Sequence, residues 1–127
     1  MIIYGIGTDI VNIDRIKNSL KNKNFINRIF NEKEILKCKK INNSINCYAK
    51  RFAAKEAFSK ALGTGISNGV NFNEIVVLNK KSGKPYINII GQTKKILNKK
   101  FKSKKSKISL SLSDEKKYAV AFVTISI

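Results

Sequence analysis

The feature that most constrains the fold is one long helical pattern in the middle of the chain. It spans roughly residues 45–62, and Gly63 follows where glycine commonly ends a helix. Beyond Gly69 the pattern changes to short apolar runs and to strict alternation, as in residues 108–113, where apolar residues alternate with serine. Because helices come mainly first and antiparallel strands mainly last, the sequence predicts an α+β domain.

The length of 127 residues fits a single domain, residues 1–127, and no repeat or linker divides it. The other predicted elements are a strand at 2–9, helices at 13–20 and 32–40, a hairpin of strands at 72–78 and 85–90, a short helix at 93–101 and a last strand at 118–127. We expect the first strand to be buried, with Gly5 and Gly7 allowing close backbone approach. No apolar run approaches the roughly 20 residues that cross a bilayer, so we expect no membrane partner.

The chain is strongly basic, with 26 Lys plus Arg against 8 Asp plus Glu and a net charge of +18. Such a charge favours an anionic partner, and nucleic acid is one interpretation. However, 23 of the basic residues are lysine and only 3 are arginine, the residue that makes bidentate contacts with bases and phosphates. The charge alone therefore indicates an anionic partner without choosing its class.

Histidine is absent from the sequence, which excludes Ser-His-Asp triads, Cys-His dyads and histidine-ligated metal sites. Cys38 and Cys47 are the only cysteines, so a zinc knuckle cannot form. The first residues are apolar but lack the basic region of a signal peptide. We therefore expect a cytoplasmic protein in which both thiols are reduced.

Two acidic residues stand out because apolar or small residues surround them. Asp9 ends the first predicted strand, and Glu56 lies in the middle of the long helix. On that helix, small residues share one face with Glu56 and Lys60 and leave room for a ligand. Four other carboxylates have polar or basic neighbours and are expected on the solvated surface: Asp14, Glu32, Glu34 and Glu115.

Carboxylates on two separate elements suit Mg²⁺, which takes one or two carboxylates and fills its other positions with water and phosphate oxygens. The phosphates would then meet Lys60 and the backbone N–H groups of Gly63, Thr64 and Gly65. A purely structural interpretation also fits, because Glu56 and Lys60 have the i, i+4 spacing of an ordinary helix ion pair. Spacing leaves both interpretations open.

Several motifs extend the pattern over nearly the whole chain. Residues 5–11 read Gly-Ile-Gly-Thr-Asp-Ile-Val, residues 50–57 read Lys-Arg-Phe-Ala-Ala-Lys-Glu-Ala, and residues 60–66 read Lys-Ala-Leu-Gly-Thr-Gly-Ile. Gly-Lys-Pro at 83–85 and Ser-Leu-Ser-Asp at 111–114 complete the series. With these motifs the chain resembles the holo-[acyl-carrier-protein] synthases, the short bacterial type of 4′-phosphopantetheinyl transferase.

The resemblance implies the fold of that family, an antiparallel sheet packed with helices, and a homotrimer with active sites at the subunit interfaces. It implies a Mg²⁺-dependent enzyme of fatty acid biosynthesis that transfers the 4′-phosphopantetheine arm of coenzyme A to a serine of acyl carrier protein. The serine proton needs an acceptor, for which Glu56 and water on the metal are the candidates.

The resemblance also implies roles for individual residues. Asp9 and Glu56 match the metal ligands, and Glu56 and Lys60 match the catalytic pair. Residues that match the coenzyme site are Arg51, Lys60, Gly63, Thr64 and Gly65. Arg15 and Arg28 match the region that docks the carrier protein. Members of the family carry either His or Asp at Asp114, so we expect packing or an interface contact there rather than a catalytic base.

Two alternative functions belong to other classes. A nucleic-acid-binding module would use the basic surface but would leave Asp9 and Glu56 unexplained. A Mg²⁺-dependent phosphodiesterase would use both carboxylates but would release pantetheine phosphate to water without a carrier protein. Coenzyme A turnover with and without acyl carrier protein separates transfer from hydrolysis.

Overall fold

The computed structural model describes residues 1–63 and 69–127 of the chain. The first part of the chain forms β1 (Ile3–Asn12), α1 (Ile13–Ser19), α2 (Lys23–Ile29), α3 (Glu32–Lys39) and α4 (Ser44–Leu62). The second part forms a 3₁₀ turn (Phe72–Glu74), β2 (Ile75–Asn79), β3 (Pro85–Ile89), α5 (Gly91–Lys100), β4 (Lys107–Asp114) and β5 (Tyr118–Ser126). The mixture of helices and antiparallel strands confirms the predicted α+β class.

Strand β5 is the centre of a three-stranded antiparallel sheet, with β1 on one side and β4 on the other. Strands β2 and β3 form a separate antiparallel hairpin. Helix α4 packs against β1 and β5 on one face of the larger sheet. On this face, alternate residues of β5 are completely buried, namely Ala119, Ala121, Val123 and Ile125. The core therefore lies between the long helix and the sheet.

Glycines allow β1 to lie directly on α4. A Cβ atom at Gly5 would overlap the carbonyl oxygen of Ala61, and one at Gly7 would overlap the carbonyl oxygen of Ala57. The close backbone approach expected from these glycines is therefore confirmed. It carries β1 past the middle of the helix and brings the end of the strand to the helix face that bears Glu56.

The other face of β1 is not buried, which corrects the expectation of a buried strand. Ile6 and Ile10 are 62% and 63% exposed, and Phe122 of the neighbouring strand β5 is 45% exposed. The reason is geometric, because alternate residues of a strand point to opposite faces and α4 covers only one of them. The strand also continues to Asn12, three residues beyond its predicted end.

Cys38 and Cys47 form a disulfide that joins the end of α3 to the first turns of α4. Their Cα atoms are 5.5 Å apart, and both residues are buried. The expectation of two reduced thiols is therefore wrong for this structure. The short connection between α3 and α4 brings the two cysteines together, which their sequence positions alone do not reveal.

Glu34 is completely buried, so its expected place on the solvated surface is also wrong. Its carboxylate accepts a hydrogen bond from the backbone N–H of Asn31 at 2.9 Å and closes a capping box at the start of α3. Lys55 of α4 supplies the opposite charge. In the ranges 1–63 and 69–127, none of the helices is both long and apolar enough to cross a bilayer.

Candidate active site

Asp9 lies near the end of β1, on the side that faces α4, and Lys60 reaches it from that helix. Lys60 Nζ donates hydrogen bonds to Asp9 Oδ1 at 3.1 Å and to the carbonyl oxygen of Thr8 at 3.0 Å. The Lys60 side chain is 55% exposed, whereas that of Asp9 is 15% exposed. The cation therefore stays accessible to an anionic ligand while it rests on the carboxylate.

Glu56 shares a cavity of about 340 Å³ with Asp9. Burial raises the pKa of the Glu56 carboxyl, the Asp9 charge raises it further, and Lys60 opposes both effects. Two carboxylates thus meet in one partly buried place, and the charge of Asp9 disfavours the ionised form of Glu56. A cation bound between them would relieve this repulsion.

The donor set fits a magnesium ion. Two carboxylates are the number that Mg²⁺ commonly takes from a protein when water and substrate phosphates supply its remaining ligands. Within residues 1–63 and 69–127 we find no cluster of three or more His, Cys, Asp or Glu side chains. Asp9 and Glu56 are the two carboxylates at this cavity that could hold such an ion.

A second cavity, of about 840 Å³, is also lined by Glu56. Its walls come from α2, α4 and the 3₁₀ turn, and they are rich in aromatic rings. Phe25 and Phe52 border both cavities, and their rings stack with centroids 6.0 Å apart. Glu56 therefore stands where a polar cavity meets a more apolar one.

The two arginines of the expected docking region lie at the rims of these cavities. Arg15, in the first turn of α1, borders the cavity with Asp9 and Glu56. Arg28, in α2, borders the larger cavity. Both side chains are exposed, so they can meet a partner that approaches Glu56.

Gly63 ends α4 in the left-handed conformation, with a φ of +86°. Among the described residues, no atom lies within 4 Å of where a Cβ atom at Gly63 would be. This outcome confirms the predicted helix end. Thr64 and Gly65, the next expected phosphate ligands, lie outside the described residues.

Within one chain, Arg51 does not lie beside Lys60. It is 4% exposed, and its Nη2 donates to Asn79 Oδ1 at 2.8 Å, while its Nη1 donates to the carbonyl oxygen of Cys47 at 3.4 Å. Its Nε is buried and has no hydrogen-bond partner among the described residues. The arginine borders a separate cavity of about 370 Å³ that carries four further cations: Lys37, Lys50, Lys80 and Lys81.

Asp114 is the acidic residue at this basic cavity. It accepts a hydrogen bond from Asn46 Nδ2 at 2.7 Å and lies 3.6 Å from Lys50 Nζ. These contacts join the end of β4 to the first turns of α4. Asp114 therefore has a packing role in the chain, and it stands away from the cavity of Asp9 and Glu56.

Two carboxylates with defined partners escaped the sequence analysis, because their partners are distant in sequence. Glu34 is one, and its only sequence signal is the capping box with Asn31. Glu74 is the other, and it accepts hydrogen bonds from the backbone N–H groups of Gln92 and Thr93 at the start of α5. Neither was predicted to have a role.

The chain is similar over nearly its whole length to proteins of one family. The family model described as the 4′-phosphopantetheinyl transferase superfamily matches residues 5–123. The holo-[acyl-carrier-protein] synthase of Pelagibacter ubique (strain HTCC1062) is 54% identical over 125 residues, which cover 98% of each chain. That of Wolbachia pipientis subsp. Culex pipiens (strain wPip) is 46% identical over 130 residues, with 98% of each chain covered.

Solved structures give the same result. The crystal structure of holo-[acyl-carrier-protein] synthase from Neisseria meningitidis is 40% identical, with a TM-score of 0.88 over 99% of this chain and 100% of that one. The synthase from Bacillus anthracis str. Ames, in complex with CoA (3′,5′-ADP), is 36% identical and has a TM-score of 0.80. The match covers 98% of this chain and 97% of that one. The chain therefore belongs to the 4′-phosphopantetheinyl transferase superfamily and is an enzyme of its holo-[acyl-carrier-protein] synthase family.

Proposed function

We propose that the enzyme transfers 4′-phosphopantetheine from coenzyme A to a serine of acyl carrier protein, with Mg²⁺, in fatty acid biosynthesis. The observation that carries this proposal is the convergence of Asp9, Glu56 and Lys60 in one place, two carboxylates and an accessible cation. This set suits a substrate that carries both a metal ion and phosphates. The family to which the chain belongs supports the same reaction.

In this reaction the serine hydroxyl of the carrier attacks the phosphorus that bears pantetheine, and the bond from that phosphorus to 3′,5′-adenosine bisphosphate breaks. The serine loses its proton, and Glu56 is the acceptor that this chain itself offers. Asp9 and Glu56 would hold Mg²⁺, which supplies positive charge for the pyrophosphate oxygens when it is bound. The protein thus acts mainly by positioning and by neutralising charge.

Lys60 would bind a coenzyme phosphate. Its ammonium group is exposed and already rests on β1 through Thr8 and Asp9, so it is held near the carboxylates before a ligand arrives. Gly63 lies at the C-terminal end of the same helix, and we propose that it binds phosphate together with Thr64 and Gly65.

Arg51 would contribute a second anion-binding place for the same ligand. Coenzyme A carries phosphate on its ribose as well as in its pyrophosphate, so an extended ligand can reach two separate cationic places. The support for this role is the basic cavity around Arg51 and its buried Nε, which has no hydrogen-bond partner in the described part of the chain. An anion in that cavity would offset the clustered positive charge.

Arg15 and Arg28 would dock the carrier protein, which is acidic. They border the two cavities that Glu56 also lines. A carrier that contacts both arginines would present its serine between them, beside Glu56. Opposite charges at these rims would also speed the encounter of the two proteins.

We further propose that the enzyme is a homotrimer. The sheet face opposite α4 exposes Ile6, Ile10 and Phe122 on neighbouring strands, and such an apolar patch favours contact with another protein chain. Light scattering should therefore give the mass of three chains, and Phe122→Asp should shift it to that of one. A native protein that stays monomeric at micromolar concentration would contradict the trimer. The cytoplasmic location remains a prediction from the sequence.

The transfer itself is tested with coenzyme A, unmodified acyl carrier protein and Mg²⁺, followed by mass spectrometry of the carrier. We expect the carrier to gain one phosphopantetheine group, and we expect chelation of Mg²⁺ to stop the reaction. Consumption of coenzyme A without a carrier would instead indicate a phosphodiesterase. Binding of oligonucleotides without any binding of coenzyme A would indicate a nucleic-acid-binding module.

A further inference from the structure

Lys55 precedes Glu56 on α4, but its side chain points into the protein interior instead of the cavities. Its Nζ donates hydrogen bonds to Glu34 Oε1 at 2.6 Å, to the carbonyl oxygen of Phe72 at 2.8 Å and to that of Ile75 at 2.6 Å. An ammonium group has three N–H donors, and all three are used here. Both side chains of the ion pair are 0% exposed.

Glu34 extends this network to two further elements. Its Oε1 also accepts from the backbone N–H of Asn31 at 2.9 Å, and its Oε2 accepts from that of Val77 at 3.1 Å. The carboxylate therefore joins the start of α3 to strand β2. Through Lys55 it also joins both elements to α4, which carries Glu56.

The segment that Lys55 holds is a wall of the larger cavity. Phe72, Asn73 and Glu74 border that cavity together with Glu56. The two carbonyl groups bound by Lys55 belong to Phe72, inside the wall, and to Ile75, directly after it. One turn of α4 thus carries both Glu56, which lines the cavity, and Lys55, which holds the wall of residues 72–74 through its hydrogen bonds.

Stability does not by itself require an ion pair at this position. Removing two charges from water is costly, and apolar residues of similar volume often replace a buried pair without loss of stability. What an apolar pair could not reproduce is the set of directed hydrogen bonds to Phe72 and Ile75. These bonds determine where the wall stands relative to Glu56.

We infer that Glu34 and Lys55 are positioning residues for the transfer reaction, because they hold the cavity wall of residues 72–74 at a set place relative to Glu56. This inference rests on the proposed function. The pair touches no reacting atom, and it acts on the substrate bound between the wall and the helix. Loss of the pair should therefore lower turnover even where the fold survives.

Three variants separate positioning from stability. Lys55→Met leaves the Glu34 charge buried and unpaired, so this variant should melt at a much lower temperature. The double variant Glu34→Gln, Lys55→Met removes that charge as well and should regain most of the melting temperature, but it cannot restore the bonds to Phe72 and Ile75. Ile87→Ala in strand β3 is the control for a buried change away from these cavities.

For the double variant we expect a kcat at least tenfold below that of the native enzyme. Its dissociation constant for 3′,5′-adenosine bisphosphate, which lacks the pantetheine arm, should stay within threefold. Ile87→Ala should keep its kcat within threefold, even with a comparable loss of melting temperature. If the double variant does not fold, Glu34→Gln alone is judged by the same two measurements.

A variant that melts near the native temperature and turns over at the native rate would overturn the inference, since the pair would then serve stability alone. That outcome leaves the proposed function intact, because the native enzyme transfers the arm in the same assay. A native enzyme that never modifies the carrier would overturn the proposed function, and the inference with it.

Discussion

Lys60 Nζ lies 3.1 Å from Asp9 Oδ1, so the exposed cation of helix α4 pairs with strand β1 across the sheet-helix interface. The i, i+4 spacing of Glu56 and Lys60 suggested an ion pair along the helix, but the described residues show no such contact. Lys60 thus pairs with Asp9, while its charge still acts on Glu56. The ion pair along the helix, on which the purely structural interpretation depended, is not formed among the described residues.

Replacing Asp9 or Glu56 by alanine should abolish transfer without unfolding the enzyme. Loss of one carboxylate would remove a ligand of the proposed Mg²⁺, whose charge stabilisation is worth several kcal/mol, so the rate should fall at least about a thousandfold. Mass spectrometry of the carrier measures the rate, and melting curves check the fold. Asp14→Ala, which changes an exposed acid in α1, is the matched control and should remain active. Near-native transfer by either site variant would refute the metal assignment.

Lys60→Ala should weaken coenzyme A binding by at least tenfold and barely change stability. The Lys60 side chain, which pairs with Asp9, is more than half exposed, and exposed ion pairs contribute only about 0.2–1 kcal/mol to the free energy of unfolding. Isothermal titration with coenzyme A and a melting curve give the two quantities. Unchanged affinity together with a large fall in melting temperature would show that Lys60 serves the fold instead.

Arg15→Ala with Arg28→Ala should raise the KM for the carrier protein and leave the KM for coenzyme A nearly unchanged. Added salt should weaken carrier binding by the native enzyme, and the salt dependence should be shallower in the double variant. Lys99→Ala with Lys100→Ala is the control, since it removes the same charge at the end of α5. Equal effects from both pairs would mean that bulk charge attracts the carrier.

Glu74→Gln should remove a contribution to the free energy of unfolding that is present at neutral pH and lost in acid. Burial alone would raise the pKa of Glu74, but hydrogen bonds from Thr93, Gln92 and Asn71 outweigh it and lower the pKa below 4.5. A carboxyl group whose pKa is lowered by folding stabilises the folded state at any pH above its ordinary pKa. This stabilisation is lost as the pH falls from the ordinary pKa through the lowered pKa.

Urea unfolding between pH 7 and pH 3 measures this contribution. The native free energy of unfolding should fall more steeply below pH 4.5 than that of Glu74→Gln, and the two proteins should converge in acid. Parallel curves would show that the Glu74 carboxylate does not stabilise the start of α5. Glu32→Gln, an exposed acid in the first turn of α3, serves as the control.

Gly7→Ala should destabilise the fold severely, because the added Cβ would overlap the carbonyl oxygen of Ala57, a backbone atom that cannot move alone. We expect a loss at or beyond the upper end of the roughly 1–3 kcal/mol that overpacking costs. Ser111→Ala on the exposed face of β4 should have little effect. A stable Gly7→Ala enzyme would mean that α4 and β1 can separate without cost.

The parts of the fold that follow from short stretches of sequence were predictable. The end of α4 at Gly63 requires only a residue that tolerates a positive φ, and the alternation of residues 108–113 requires only a strand with one covered face. Asp9 and Glu56 could be singled out because apolar or small neighbours along the chain make an ionised side chain costly.

Only the tertiary structure decided which charged groups meet. Glu34 and Glu32 have similar sequence surroundings, yet Glu34 is buried because Lys55 and Val77, distant along the chain, supply its hydrogen-bond partners. In the same way, Arg51 and Lys60 share one helix, but Arg51 borders the basic cavity whereas Lys60 pairs with Asp9, because residues nine apart are separated by about 13.5 Å of helix axis. The sequence by itself determined most of the elements and the chemistry they carry, although it did not reveal α2 or the 3₁₀ turn at residues 72–74. Burial and partner choice depend on which elements pack together, and only the folded chain decided them.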